Sequence, residues 1–579
     1  MEILENKKFR IASIITAGLL VLLSVAYFLY TTLSLQEENK VIKNSFLRNY
    51  SQADFVKYSL KTANPYNREA LEKFVKSKYL FFVRSNTDVK TAIQNYADLY
   101  NHSFEILLRL KKEKAIYSKD YKEIKKHLLK FRFAKISYKL QSINLKNSNA
   151  NLLGLKSYFS GIVKELDFKT EMARIDYIEA KRLNGFEPLY YLALGDVYVK
   201  KYDFKSAIDV YKDGLLNANF KYKKNKTVQL NLLTNLANVY NIRNNNKEAL
   251  NTYTDLLMYS HLFDNSKFQW IAIYNIALLK AENGEYLTSI DYLKHALIIS
   301  RKIRNNQFMA NTLNTLSNIQ YYYGDYENGR KNALRSIKYA KKSTDLNLMA
   351  NASLNACLNY DYLDESKLST IYCNRSLEIN NILAEILERP EYYIRNGFIY
   401  SYVAQFRNYK SSLMNYIKAY KIADKLKLRI LEANALQGMS NSNLMLGNKD
   451  KAFTQLNMSM KIKKSFGINS NCCEDIKYGE YFWHTKNYEL AISSYKQAIF
   501  KGLKNNNNYM VSMASSHLAM VYDDLKQYKE GYKYSNLALD TSKRIYRYDH
   551  HYIKFQKEWG DRLYYKMTKK ENRDRNKQD

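Results

Sequence analysis

Asparagine is the residue type whose spacing along this chain most resembles a working surface. Asn235, Asn275 and Asn355 are separated by multiples of 40 residues, as are Asn238 and Asn318, and Asn311 and Asn351. A primary amide carries a donor and an acceptor together, so it can pair with both groups of a peptide bond. A row of them on one face would grip an extended peptide by its backbone, whatever its side chains. Asparagine is also abundant throughout the chain, and composition supplies part of this coincidence. Other chemistry is thin. The sequence contains no GxxxxGK[ST], GxGxxG, GxSxG or HExxH, so phosphate-cradling, nucleophile-elbow and zinc-helix sites lack their sequence marks. His550 and His551 are adjacent but lack a third or fourth ligand at metal spacing, which reads as a satisfied or exposed pair. Cys472 and Cys473 are neighbours with no CxxC partner. The expectation is a protein without catalytic residues, metal or cofactor.

Recurring small and aromatic residues show which elements must position the amides. Gly195 is followed by Tyr198, Ala207, Tyr211 and Gly214. Gly479 is followed by Ala491, Tyr495 and Ala498. The key small position recurs at Gly195, Ala237, Ala277, Ser317, Cys357, Gly397 or Tyr400, Ser440, Gly479 and Ala519. A weaker copy, Gly161, Ala173, Tyr177 and Ala180, lies 34 residues before the first clear one. Turn signals fall inside the copies at Asn283-Gly284-Glu285-Tyr286, Tyr323-Gly324-Asp325-Tyr326 and Leu446-Gly447-Asn448-Lys449. With only 3 Pro and 17 Gly in 579 residues, long helices joined by short turns are favoured over strands.

This pattern resembles the tetratricopeptide repeat (TPR) family, here with repeats of about 40 residues, over well over half the chain. The resemblance implies an all-α fold, an α-solenoid of helix hairpins spanning 151–540. An irregular helical segment (36–150) precedes it, and a capping helix and tail (541–579) follow. Small residues let the two helices of a hairpin approach, and the aromatic fills the space beside them. Each hairpin leaves an apolar face that only its neighbour covers.

In such repeats the first helix of each pair lines the concave groove. Its groove slots lie six, three and two residues before the key small position and one after it. Those slots hold Asn231, Asn235 and Asn238, then Asn275, then Asn311, Asn314 and Asn318, then Asn351 and Asn355, with Asn434 and Asn441 further on. The resemblance therefore implies a peptide-binding groove. The version of the fold that clamps a carboxylate is not matched beyond Lys200 and Asn238. Cys357 and Cys373 occupy the two packing positions of one repeat, one on each helix. They are a disulfide pair in an oxidising compartment and small core residues in the cytosol; the core role is the expectation. No helix-turn-helix, kinase or cyclase motif follows Ala538.

The N-terminal stretch reads differently. Residues 11–35 carry no charge, and twenty residues of helix already span a bilayer core of about 30 Å. Ser24-Val25-Ala26 would suit a signal-peptide cleavage site, but the apolar run continues beyond it, so an uncleaved transmembrane anchor is expected. Lys7, Lys8 and Arg10 flank one side, and Glu37 and Glu38 open the other. Positive-inside reasoning thus puts a short tail (1–10) in the cytoplasm and the repeats in the periplasm or outside the cell. Lys40, Lys43 and Arg48 keep a cytoplasmic placement of the repeats open as the alternative.

The formal charge is +35, from 91 Lys and Arg against 56 Asp and Glu. These charges are scattered over helix surfaces with no arginine-rich stripe, which argues against nucleic acid as the partner. The leading expectation is a membrane-anchored TPR scaffold that binds a protein or extended peptide, with oligomerisation left open. A signal-transduction subunit regulated by a peptide, with its output on another chain, is the alternative. A basic surface for nucleic acid or anionic lipid comes third.

Overall fold

The computed structural model describes residues 116–143, 150–217, 226–468 and 472–575, with short helical pieces at 71, 73–75, 103–108 and 110–112. The expected anchor at 11–35 and the tail before it lie outside the described residues. Among the described residues every regular element is helical, and no helix is long and apolar enough to cross a membrane.

Two leading helices, α1 (Ser118–Leu128) and α2 (Phe133–Ser142), are followed by ten antiparallel hairpins. These are α3 (Ala150–Leu166) with α4 (Thr170–Leu183), α5 (Pro188–Lys200) with α6 (Phe204–Asn217), and α7 (Lys226–Ile242) with α8 (Asn246–Leu262). Next come α9 (Ser266–Glu282) with α10 (Tyr286–Lys302), α11 (Asn306–Tyr323) with α12 (Tyr326–Lys342), and α13 (Leu346–Tyr362) with α14 (Ser366–Leu387). The last four are α15 (Pro390–Tyr402) with α16 (Tyr409–Lys425), α17 (Arg429–Met445) with α18 (Lys449–Ser465), α19 (Cys472–His484) with α20 (Tyr488–Lys504), and α21 (Asn508–Asp524) with α22 (Tyr528–Ile545). A long helix, α23 (His551–Arg575), closes the described array. The weak copy at Gly161 is thus a complete hairpin. The last helix starts later than the sequence suggests: Ser542 to Ile545 still belong to α22, and the chain turns before His551.

The hairpins are alike because their turns are alike. At most of them one residue sits in the left-handed region just past the helix end, among them Tyr202 (φ 61), Asn244 (φ 57), Gly284 (φ 81), Gly324 (φ 95) and Lys486 (φ 63). The next amide then reaches back to close the helix, as Asp203 N–H does to the Tyr198 carbonyl at 2.9 Å.

The small residues do what their spacing implies. A Cβ placed on Gly479 would lie 2.5 Å from Cε1 of Tyr495, and one on Gly195 would overlap the Tyr211 ring. Ala207, Ala491, Tyr495 and Ala498 are fully buried, and Tyr211 nearly so. Tyr198 is half-buried against the same core. Of the two candidates at the sixth position, Gly397 faces Tyr416. At two of the serine positions the hydroxyl crosses to the facing helix: Ser289 Oγ donates to the Ala277 carbonyl at 2.6 Å and Ser440 Oγ to that of Ala452 at 2.7 Å. Polarity at these crossings is therefore satisfied internally. Cys357 and Cys373, both fully buried, are joined as a disulfide linking α13 to α14. The expectation of two unbridged core cysteines gives way to a bridge. Their two packing positions face each other directly, with Cα atoms 5.2 Å apart.

First helices touch the first helices of the next hairpin (α5 with α7, α11 with α13, α15 with α17), whereas successive second helices barely meet. This asymmetry curves the stack with first helices inside. The curvature brings the coil back onto itself. Pairs 224 to 227 residues apart are in hydrogen-bond contact: Tyr202 with Lys427 and Arg429, Arg243 with Gly467, Asn507 with Glu282, and Tyr326 with His550 and His551. Turns inside the early hairpins thus rest on turns between the later hairpins, forming a seam between successive superhelical turns.

Candidate functional site

The concave wall is built by α5, α7, α9, α11 and α13. On these helices the groove slots stand out from their buried neighbours. Asn231, Thr234 and Asn235 are half-buried and Asn238 is exposed. Ile271, Tyr274, Asn275 and Leu278 are half-buried on α9, as are Asn311, Asn314 and Asn318 on α11, and Asn351 and Leu354 on α13. The amides therefore share one face of adjoining helices, held there by the small residues buried behind them.

The structure divides these amides by role. Some tie one first helix to the next. Asn235 Nδ2 donates to Asp196 Oδ1 at 2.8 Å. Asn355, buried on α13, donates to the Asn314 carbonyl (3.0 Å) and its Oδ1 (2.9 Å), while Asn318 Nδ2 lies 3.4 Å from Asn355 Oδ1. Asn359, one turn deeper, donates to Ser317 Oγ. Others serve their own hairpin. Asn238 Oδ1 accepts the Tyr253 hydroxyl at 2.6 Å, and Asn275 Nδ2 donates to the Ile271 carbonyl at 2.8 Å. Asn231, Asn311 and Asn351, six residues before their small positions, make no hydrogen bond among the described residues. Both halves of each amide are therefore unengaged among the described residues. Further round, Asn434 is exposed and Asn441 reaches the Tyr402 hydroxyl at 3.4 Å.

Aromatic rings stiffen the middle of the wall. Trp270 stacks on Phe308 (4.0 Å between centroids) and donates through Nε1 to Thr312 Oγ1 at 3.0 Å. The Tyr274 hydroxyl and Thr315 Oγ1 are 2.7 Å apart. Beyond α13 the inner face gains charge. Arg395 donates to Asn347 Oδ1 at 2.7 Å and lies over the Tyr392 ring; burial pushes its guanidinium below the usual value.

Reading the slots for asparagine alone overlooks Asp196. It stands one residue after Gly195, in the slot that Asn238 and Asn318 fill in later repeats. Its Oδ1 accepts from the Tyr211 hydroxyl (2.6 Å) and from Asn235. Burial is the main reason its carboxyl is pushed up to about 6. The Tyr211 hydrogen bond and Lys200 oppose the rise, and Glu165 adds to it. Any polar residue in the slot, not only an amide, would have been the signal.

His550 and His551 lie at the seam instead of in the groove. Among the described residues no three His, Cys, Asp or Glu side chains gather as a metal site would need. Of Cys472 and Cys473, the structure shows only that they open α19.

No protein-family model and no curated protein matches the chain. Among solved structures it is similar to a Rap protein complexed with competence and sporulation factor, at 16% identity and TM-score 0.41, covering 63% of this chain and 99% of that one. It is similar to the apo form of the quorum sensor NprR from B. thuringiensis at 12% identity and TM-score 0.41, covering 65% of this chain and 99% of that one. It is also similar to BtubC (BKLC) from P. vanneervenii at 18% identity and TM-score 0.34, covering 38% of this chain and 91% of that one. The fold itself is an all-helical repeat of stacked antiparallel hairpins.

Proposed function

We propose that this protein is a membrane-anchored TPR scaffold, built of repeats of about 40 residues, that binds a protein or extended peptide in its concave groove. It assembles or senses at the cell envelope and carries out no catalysis. Residues 11–35 are the tether, with the N-terminus cytoplasmic and the repeats periplasmic or extracellular. The observation that carries the reading is the alignment of Asn231, Asn311 and Asn351 on the inner face of α7, α11 and α13, without hydrogen-bond partners among the described residues. Donor and acceptor pairs in one slot of α7, α11 and α13, with Ile271 between them on α9, suit a backbone that runs across the helices. The disulfide between Cys357 and Cys373 supports the outward placement, since such bonds persist in oxidising compartments.

The test replaces Asn231, Asn311 and Asn351 together with Ala and compares capture by crosslinking in membranes followed by mass spectrometry. Thermal unfolding should stay nearly unchanged while partner capture falls. Undiminished capture would overturn the groove reading. Protease access to the repeats in intact cells decides the side of the membrane.

The seam favours a second reading, a signal-transducing subunit regulated by a peptide with its output on another chain. A coil whose turns touch has a defined curvature for a ligand to change. Small-angle scattering with and without the captured peptide reads that change.

A further inference from the structure

The groove slots of α5, α7, α9, α11 and α13 hold Leu189, Leu192, Ala193 and Asp196; then Asn, Thr, Asn and Asn; then Ile271, Tyr274, Asn275 and Leu278; then Asn and Thr; then Asn and Leu. In a chain of formal charge +35, the only side chain in these slots that is charged at neutral pH is a carboxylate. Packing does not require that charge. One repeat later, Asn238 occupies the same slot and accepts the equivalent tyrosine, Tyr253, at the same 2.6 Å that Asp196 accepts Tyr211. The two donors that reach Asp196, Tyr211 and Asn235, are neutral and both take Oδ1. Oδ2 has no hydrogen-bond partner among the described residues. Lys200, whose charge also bears on this carboxyl, is paired with Glu165.

We infer that Asp196 is a specificity-determining residue that takes a cationic group of the bound peptide, a Lys or Arg side chain or the free α-ammonium, and so fixes which way the peptide lies along the amide wall. This rests on the groove reading above. A neutral amide wall grips a backbone without distinguishing one register from the next. A single carboxylate at its α5 end supplies that distinction, because a half-buried anion gains most from a cation brought to it. The carboxyl, held near 6 by burial and facing Tyr211, Asn235, Lys200 and Glu165, loses its charge as pH falls below that value. Capture of cationic peptides should weaken over the same range.

The experiment selects binders from a phage-displayed random dodecapeptide library on the full chain in detergent micelles, for the wild type and for Asp196→Asn. The substituted amide keeps an oxygen for Tyr211 and Asn235, as Asn238 does for Tyr253, so the hairpin should fold. The wild type should enrich peptides with a basic residue or free amine at one fixed position. Asp196→Asn should still select peptides, lose that preference, and bind the wild-type set about tenfold more weakly. Synthetic peptides with and without N-acetylation separate the side chain from the terminus as the source of the cation. Selection of neutral peptides by both proteins would overturn this inference and leave the groove reading standing. Selection of none by either would overturn both.

Discussion

The Tyr202 and Phe466 rings pack with centroids 4.5 Å apart, joining the turn of one early hairpin to a turn of the next superhelical layer. The Tyr202 hydroxyl also accepts the Arg429 N–H at 2.9 Å. Tyr202 sits at φ 61, in the left-handed conformation found at most of the hairpin turns. Tyr202→Ala should remove about 2 kcal/mol of contact between layers, given a large ring that is only half-buried. In a repeat array the loss stays local. Amide hydrogen exchange should therefore quicken at 427–429 and 466–468, while α5 and α6 keep their protection. Unchanged exchange at both turns would mean that the layers do not depend on this contact.

The other end of the seam holds a stacked pair of histidines. The Tyr326 hydroxyl lies 3.0 Å from His551 Nδ1 and 3.4 Å from His550 Nε2, and the two imidazoles stack at 4.3 Å. Arg547 approaches Asp325 and Asp549 beside them, and its N–H donates to the Tyr323 carbonyl at 3.0 Å. Burial first, and the neighbouring His551 second, push His550 down to about 3 from its ordinary 6.5, against a raising hydrogen bond to the Tyr322 backbone. The folded state thus prefers the neutral ring. Between these two values the unfolded state binds more protons, so stability rises with pH and is lost as pH falls from 6.5 toward 3. Thermal unfolding followed from pH 7.5 to 4.5 should show this decline, and His550→Asn should flatten it. An equally steep decline in that variant would assign the effect to other groups.

Overpacking gives a sharper test of the hairpin. A Cβ at Gly195 overlaps the Tyr211 ring, whose hydroxyl is also held by Asp196. Gly195→Ala should destabilise by about 1–3 kcal/mol, even though alanine is the better helix former. Pairing it with Tyr211→Leu should recover part of the loss. If Gly195→Ala is neutral in denaturant unfolding, the ring has room to move and the packing rule fails at this joint.

What could be read from the sequence was whatever repeats. Gly195 and Tyr211, or Gly479 and Tyr495, announce themselves because the same contact must be made at every hairpin, and nine copies in phase outweigh chance. The groove face followed from the same register. Which amides are available did not. Asn235 and Asn231 have the same side chain, and only the position of Asp196 on the adjoining helix shows that one is engaged and the other is not. The seam was invisible for a related reason. It depends on curvature summed over several hairpins, and no local pattern marks Tyr202 as the partner of Phe466. Apolar spacing alone starts the last helix too early, because it continues through Tyr546. A docking contact, Arg547 against the Tyr323 carbonyl, decides where the chain turns.

The disulfide offers the last test, because it puts a covalent bond at a joint that other described repeats close by packing or by a serine hydrogen bond. Cys357 takes the small position on α13, Cys373 the facing position on α14, and the bond closes a loop of sequence separation 16. Constraining a loop of that length in the unfolded chain is worth about 3 kcal/mol in the chain-entropy account. Both sulfurs are wholly buried, so a reductant should reach them only when the hairpin opens. Cys357→Ser with Cys373→Ser should lower the stability of this stretch by about that amount and leave the distant Tyr495 joint untouched, since repeats couple chiefly to their neighbours. Mass spectrometry of the protein taken from cells under thiol-blocking conditions provides the companion measurement. A bridged pair is expected there. Two blocked free thiols would remove both the stability contribution and the support for placing the repeats in an oxidising compartment.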